Sequence, residues 1–260
     1  MTMNYEGFKE EIYKISGIDL SLYKERQMKR RINALIQKKN FDGYQSYIDA
    51  LKVDRELYNE FINYMTINVS EFYRNPEQWN KLREIIFPML LKKNRNLNIW
   101  SAACSSGDEP YTLAMILNEF VPLKNIKVIA TDIDKDILKR AKKGTYTEKS
   151  VANLPKSYLK KYFTHDGKNF QINDEIKRCI NFKHHNLLAD EYPPNCDLIV
   201  CRNVLIYFTE EAKIQIYKNF NKSLTSSGIL FVGSTEQILL YANYNLKPIQ
   251  TFFYQKEKDL

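Results

Sequence analysis

Ile99-Trp100-Ser101-Ala102-Ala103-Cys104-Ser105-Ser106-Gly107-Asp108-Glu109-Pro110-Tyr111, followed by Ala130-Thr131-Asp132-Ile133-Asp134, decides how this chain folds. An apolar strand runs into a loop of small residues, and a helix starts at about Pro110. A second apolar strand, from Lys127 to Thr131, ends in an acid. In an open α/β sheet this layout receives a nucleotide-type ligand: the loop and helix N-terminus take one end, and the carboxylate at the next strand end takes a ribose diol. The loop holds a single glycine. A dinucleotide fingerprint uses three, to bring backbone against a pyrophosphate. Glu109 would also stand against the charge of a pyrophosphate. An acid at that place suits a ligand with a positive group. S-adenosylmethionine, with a ribose, a sulfonium and an ammonium, meets both conditions.

Outward from this stretch the pattern alternates. Strands are expected at residues 98–101, 128–131, 180–183, 198–201, 229–232 and 251–255, and helices at 110–120, 135–143 and 210–223. That alternation predicts an α/β fold with a doubly wound, mostly parallel sheet covered on both faces. The stretch 160–182 departs from it. Tyr162-Phe163-Thr164, the turn Asp166-Gly167 and Phe170-Gln171-Ile172 read as a small β-hairpin inserted at about 160–180.

Residues 1–66 show no strand signal and are expected to form a small all-α N-terminal domain, with 67–260 as the second domain. From Tyr23 to Asn40, Met28, Ile32, Leu35 and Ile36 recur at helical spacing. The same helix carries Arg26, Lys29, Arg30 and Arg31, of which Arg26, Lys29 and Arg30 share a side with Asn33. Asp42-Gly43 breaks it, and helices are expected at 44–52 and 54–64.

Composition narrows the setting. With 260 residues and 44% hydrophobic content the chain can bury a sizeable core. No apolar run approaches the ~20 residues of a membrane span. Residues 1–10 contain no apolar h-region, so no signal peptide is expected. The four cysteines form no CxxC pair, which fits reduced thiols and a cytoplasmic location. Adjacent His184 and His185 cannot both face one site from a strand, so no metal site is expected. The formal net charge of +8 suits an acidic partner, a nucleic acid or an anionic surface, and equally a lysine-rich protein with a solvated face.

Polar clusters fall beyond four consecutive strand ends, where a doubly wound sheet places its ligands: the loop to Glu109, then Asp132, then His185-Asn186-Leu187-Leu188, then Cys201-Arg202-Asn203-Val204-Leu205-Ile206-Tyr207-Phe208. Singly, Asn186, Asn203 or Asp132 reads as a turn or cap residue; together they point to a ligand site. A fifth cluster, Asn68-Val69-Ser70-Glu71-Phe72-Tyr73-Arg74-Asn75-Pro76, joins the two parts, with Asn68 and Ser70 on one side if the segment is extended.

In this order the clusters resemble the CheR family, chemotaxis receptor methyltransferases that make glutamate methyl esters from S-adenosylmethionine. The resemblance spans the whole chain, including the late Val232-Gly233-Ser234-Thr235-Glu236, and the Asn-Val-Ser and Gly-Ser-Thr-Glu variants resemble forms from Gram-positive bacteria. It implies that Asn68, Ser70 and Arg74 reach the cofactor from the linker. It implies that Glu109 holds the methionine ammonium, Asp132 the ribose hydroxyls and Asn186-Leu187 the adenine side, with Asn203-Val204 closing the pocket. Arg74 and Tyr207 would flank the transferred methyl as the catalytic pair. Arg26, Lys29, Arg30 and Arg31 would dock acidic helices of the cytoplasmic domains of methyl-accepting receptors. One departure is visible: Asp108 stands where many relatives have a second glutamate, with the charge kept.

Two rivals remain at this level. A nucleic-acid methyltransferase would fit the charge, but it needs an amine-orienting motif and base-stacking aromatics. Tyr192-Pro193-Pro194-Asn195 has the order of such a motif reversed and precedes a strand. A catalytically inactive scaffold that senses the cofactor would not need Arg74, Glu109, Asp132, Asn203 and Tyr207 together. The expected partners are therefore receptors, with no nucleic acid and no membrane insertion.

Overall fold

The computed structural model describes residues 3–257; residues 1, 2 and 258–260, the outermost parts of the expected 1–66 and 67–260 domains, lie outside the described residues. The chain divides into two compact units, one running through Asn68 and taking in Leu205–Gln215, the other comprising Val69–Val204 and the chain from Ile216.

The first unit is helical: α1 (Tyr5–Ser16), α2 (Glu25–Lys38), α3 (Tyr44–Val53) and α4 (Arg55–Thr66). Local chemistry sets the ends. Asn4 and Asp54 cap α1 and α4 by accepting from Gly7 N and Leu57 N, at 2.9 Å each. Met28, Ile32, Leu35 and Ile36 form the buried stripe of α2, and Phe8, Tyr47 and Phe61 pack edge to face in the core. Leu205–Gln215 joins this unit because its backbone is tied to the chain before α2. Tyr207 O accepts from Lys24 N, and Thr209 N donates to Leu22 O, both at 2.9 Å.

The second unit is built on a seven-stranded sheet. Its elements in chain order are α5 (Pro76–Lys81), which runs through a π turn at Leu82–Ile86 into α6 (Phe87–Leu91), then β1 (Ile99–Ala102), α7 (Asp108–Leu117), β2 (Val128–Asp132), α8 (Lys135–Lys143) and β3 (Thr145–Tyr146). There follow α9 (Glu148–Val151), α10 (Lys156–Tyr162), β4 (Phe163–His165), β5 (Phe170–Ile172), α11 (Asp174–Lys177), β6 (Ile180–His184), β7 (Cys196–Cys201), α12 (Glu210–Ser223, of which residues from 216 belong to this unit), β8 (Leu224–Val232), β9 (Leu246–Gln250) and β10 (Phe253–Lys256).

The strand order is β6-β2-β1-β7-β8-β10-β9. Strands β6 through β8 pair in parallel, and β10 pairs antiparallel with β8 and β9. The sheet is thus mostly parallel with an antiparallel hairpin at one edge. The single strand expected at 251–255 is the second arm of that hairpin. Phe252 turns the chain with a φ of 71°, and β9 comes before it. Pro248 fits β9 because β9 is an edge strand, where a missing N–H costs no ladder bond. The hairpin expected at about 160–180 is β4 and β5, with Tyr162 ending α10 rather than opening the first arm, and β3, from before that stretch, completes a separate antiparallel sheet, β3-β5-β4. Asp166 Oδ1 closes the hairpin turn by accepting from Lys168 N and Asn169 N, at 2.9 and 2.7 Å. No described helix is long and apolar enough to cross a membrane.

Candidate cofactor and methyl-transfer site

The loop from β1 to α7 is held open by its backbone. Ala103, Ser105 and Gly107 have φ of 65°, 48° and 90°, so the chain turns repeatedly through the left-handed region. Gly107 is required for space as well as conformation: a Cβ there would stand 3.0 Å from Ala141 Cβ and 3.2 Å from the Tyr146 hydroxyl. The Ser105 hydroxyl and Asp108 Oδ1 are buried without a hydrogen-bond partner among the described residues, as at a loop that completes its bonding with a ligand. Burial raises the Asp108 carboxyl above its ordinary range, against hydrogen bonds from Ser106 and Ser70.

Glu109, the second residue of α7, is largely buried, with its side chain 13% exposed. Its Oε1 accepts from Ser101 Oγ at 2.8 Å, and its Oε2 lies 3.6 Å from Arg202 Nη1. Burial pushes this carboxyl up to about 7 against the pull of Arg202 and Ser101. Asp132 ends β2 with both oxygens facing backbone amides: Oδ2 accepts from Ser105 N at 2.8 Å and Oδ1 from Asp134 N at 3.0 Å. Its burial raises it to about 6. Beside it in the sheet, His184 pairs with Asp132 at the end of β6. Asn186 then forms a local turn, Oδ1 accepting from Leu188 N at 2.9 Å, and Leu187 is buried.

The linker and the end of β7 meet in the same unit. Arg74 sits between Tyr73 and Asn75, both left-handed with φ of 57° and 61°, and its Nη1 lies 3.4 Å from Val69 O. Arg202 Nη2 donates to Arg74 O, Asn75 Oδ1 and Gln78 Oε1 at 2.8, 3.2 and 2.9 Å. Asn203, with φ of 61°, is held by Glu236, whose Oε2 accepts from Asn203 N and Gly233 N at 2.5 and 3.0 Å. Val204 follows directly, half-buried. Arg202 and Glu236 stand inside the sequence motifs, where spacing alone gives them no role. The signal that finds them is a charge next to a buried apolar strand, tolerated only when paired.

The remaining expected residues belong to the first unit. Asn68 Nδ2 donates to Thr66 Oγ1 at 3.0 Å, and Tyr207 lies in the short turn Leu205–Tyr207. On α2, Arg26, Lys29 and Arg30 are exposed, with Lys29 Nζ 5.1 Å from the Tyr5 ring centroid. Arg31 differs from them. It is half-buried, lies over the Tyr64 ring at 4.7 Å and donates to Tyr64 O, so it ties α2 to α4.

A parallel sheet with an acid-bearing loop after one strand and a carboxylate at the next strand end is the arrangement of an S-adenosylmethionine-dependent methyltransferase. The orphaned loop atoms and the two buried acids, as carboxylates, fit a cationic nucleoside. The family model for the CheR methyltransferase, SAM binding domain, matches residues 68–252, and that for the CheR methyltransferase, all-alpha domain, matches residues 3–66. The chain belongs to the CheR methyltransferase family. It is similar to a chemotaxis protein methyltransferase of Listeria monocytogenes, 44% identical over 254 residues and covering 97% of each chain. A chemotaxis protein methyltransferase of Borreliella burgdorferi is 36% identical, covering 94% of this chain and 91% of that one. A solved TehB-like SAM-dependent methyltransferase from Corynebacterium glutamicum is 15% identical with a TM-score of 0.39, covering 72% of this chain and 97% of its own. The nucleic-acid and inactive-scaffold readings are not favoured beside these relatives.

Proposed function

We propose that this chain transfers methyl groups from S-adenosylmethionine to glutamate side chains in the cytoplasmic domains of methyl-accepting chemotaxis receptors, making methyl esters for sensory adaptation in the cytoplasm. Buried acids set at consecutive strand ends, Glu109 and Asp132, carry the reading together with the family membership. The bound cofactor supplies an activated methyl on a sulfonium and leaves as S-adenosylhomocysteine. In this reading residues 67–260 hold the chemistry and 1–66 the receptor.

A receptor glutamate with a pKa near ~4.3 is already ionised at pH 7, so no base is needed to make the nucleophile. Bound S-adenosylmethionine would supply the methyl to the carboxylate oxygen and keep the electron pair of the broken carbon–sulfur bond on its sulfur. The protein's work is alignment and partial desolvation. Glu109 receives the ammonium, and Asp132 the ribose diol. Asn186, Leu187, Asn203 and Val204 enclose the remainder, with Asn68 and Ser70 on the linker side. Arg74 orients a carboxylate, and Tyr207 orients the acceptor oxygen or methyl.

Radiolabelled methyl transfer to receptor-containing membranes tests this. Base-labile label in a receptor supports it; label in added nucleic acid, or none, overturns it. In the same assay Tyr207→Phe is expected to slow turnover by about tenfold or more, the size of a lost orienting contact, while cofactor binding stays near wild type. An unchanged single-turnover rate removes Tyr207 from the chemistry.

The exposed cations of α2 give a separate expectation. Arg26→Glu with Arg30→Glu should leave cofactor binding intact and slow receptor methylation roughly tenfold at low salt, because steering by exposed charge is lost. Added salt should slow the wild type in the same way, since such charges are screened over ~8–10 Å at physiological ionic strength. A double variant that methylates receptors at the wild-type rate makes this face merely solvated.

A further inference from the structure

We infer that Arg202 is a positioning residue that sets two parts of the methyl-transfer site at once, the acid at the start of α7 and the turn that carries Arg74. The inference rests on the reading that Glu109 receives the ammonium and Arg74 acts near the methyl. The Arg202 side chain is 3% exposed. Its guanidinium carbon lies 4.9 Å from the ring centroids of both Trp79 and Phe231, so the plane is clamped by two aromatic groups. From this fixed place one nitrogen faces Glu109 and the other faces the turn.

The turn needs such an anchor. Left-handed φ is strained for a bulky residue such as Tyr73, and such conformations persist only where the surroundings over-determine them. Here the carbonyl of Arg74 accepts from Arg202 Nη2 and from Trp79 Nε1, each at 2.8 Å. The peptide that follows Arg74 is thereby pinned, while among the described residues the Arg74 side chain has a single long hydrogen bond, to Val69 O. A pinned backbone with a lightly held side chain is what an orienting arginine requires.

The acid needs its partner for a different reason. Glu109 is faced by Arg202 and the Ser101 hydroxyl, by the like charge of Glu236, and by Cys104 and Cys201, whose thiols burial keeps neutral. Without the guanidinium, Glu109 loses the opposite charge that lowers it while the like charge of Glu236 remains, and Glu109 takes up a proton at higher pH. A protonated Glu109 cannot hold an ammonium. Lysine replaces the charge but neither the flat fork nor the double clamp.

The test compares wild type, Arg202→Lys and Arg202→Met for calorimetric binding of S-adenosylmethionine against pH and for methyl transfer to receptor-containing membranes, with near-UV dichroism as the check on folding. For Arg202→Met the pH at which binding fades should rise by about one unit, and binding at pH 7.5 should weaken about tenfold. Arg202→Lys should restore the pH profile yet keep kcat at least about tenfold low, because the Arg74 turn is not pinned. A double variant Glu109→Gln, Arg202→Met should bind about as weakly as Glu109→Gln alone. A wild-type pH profile in folded Arg202→Met, a kcat for Arg202→Lys within about twofold of wild type, or fully additive losses in the double variant overturns the inference. If Arg202→Met does not fold, the kcat of Arg202→Lys decides alone. Wild-type protein that fails to bind the cofactor overturns the functional reading instead.

Discussion

Between pH 7.5 and pH 5.5 the affinity of this protein for S-adenosylmethionine is expected to fall by roughly a hundredfold, from the titration of two buried acids. Burial places Glu109 at about 7 and Asp132 at about 6 in the ligand-free protein. In the proposed reading each binds its part of the cofactor as a carboxylate, so every proton taken up must be released on binding. As pH falls through about 7, Glu109 contributes a factor approaching ten per pH unit, and below about 6 Asp132 adds to it. The ligand's own ammonium stays charged across this range, since an α-amino group titrates near ~8. Stability of the ligand-free fold carries the opposite sign. Both acids lie above their ordinary range, so their contribution is fully present at low pH and is lost as pH rises through about 6 to about 7. The thermal shift produced by cofactor should therefore grow with pH across that window. Calorimetry in buffers of different ionisation enthalpy counts the protons released. A flat affinity from pH 7.5 to 5.5 would show that neither acid meets the ligand as a carboxylate.

Asp132→Ala is expected to weaken cofactor binding by roughly 10- to 150-fold, the equivalent of about 1.5–3 kcal/mol for hydrogen bonds to a charged acceptor. The conservative change is not conservative here. Asp132 receives Ser105 N on one oxygen and Asp134 N on the other. Asparagine presents one oxygen and one amino group, so one inward amide then faces a donor. An unmet buried donor costs about 1–3 kcal/mol. Asp132→Asn should thus bind cofactor no better than Asp132→Ala and melt at lower temperature than wild type. Wild-type affinity in Asp132→Ala would remove this carboxylate from the ribose site.

Much of this was legible along the chain. The helix expected at 135–143 is α8 at the same residues, and the strands at 128–131 and 198–201 lie within β2 and β7. Such elements announce themselves because burial of neighbours two to four positions apart imposes a period on the residues themselves. The strand-end clusters were equally readable, since a parallel sheet brings its carboxyl ends to one side whatever its loops contain. Other features have no local signature. The chain does not mark that β9 and β10 form an antiparallel hairpin, because a short apolar run reads the same in either direction. Arg31 falls beside Arg30 in a basic run, yet its guanidinium is spent on Tyr64, a partner on another helix. Arg202 reaches Arg74 across 128 positions and Glu236 reaches Asn203 across 33. Periodicity records which residues are buried, but a buried charge finds its partner only when distant elements pack. The sequence by itself therefore determined the layered fold and the ends of the strands where ligands gather, while the tertiary structure alone decided which charges are paired and which face outward.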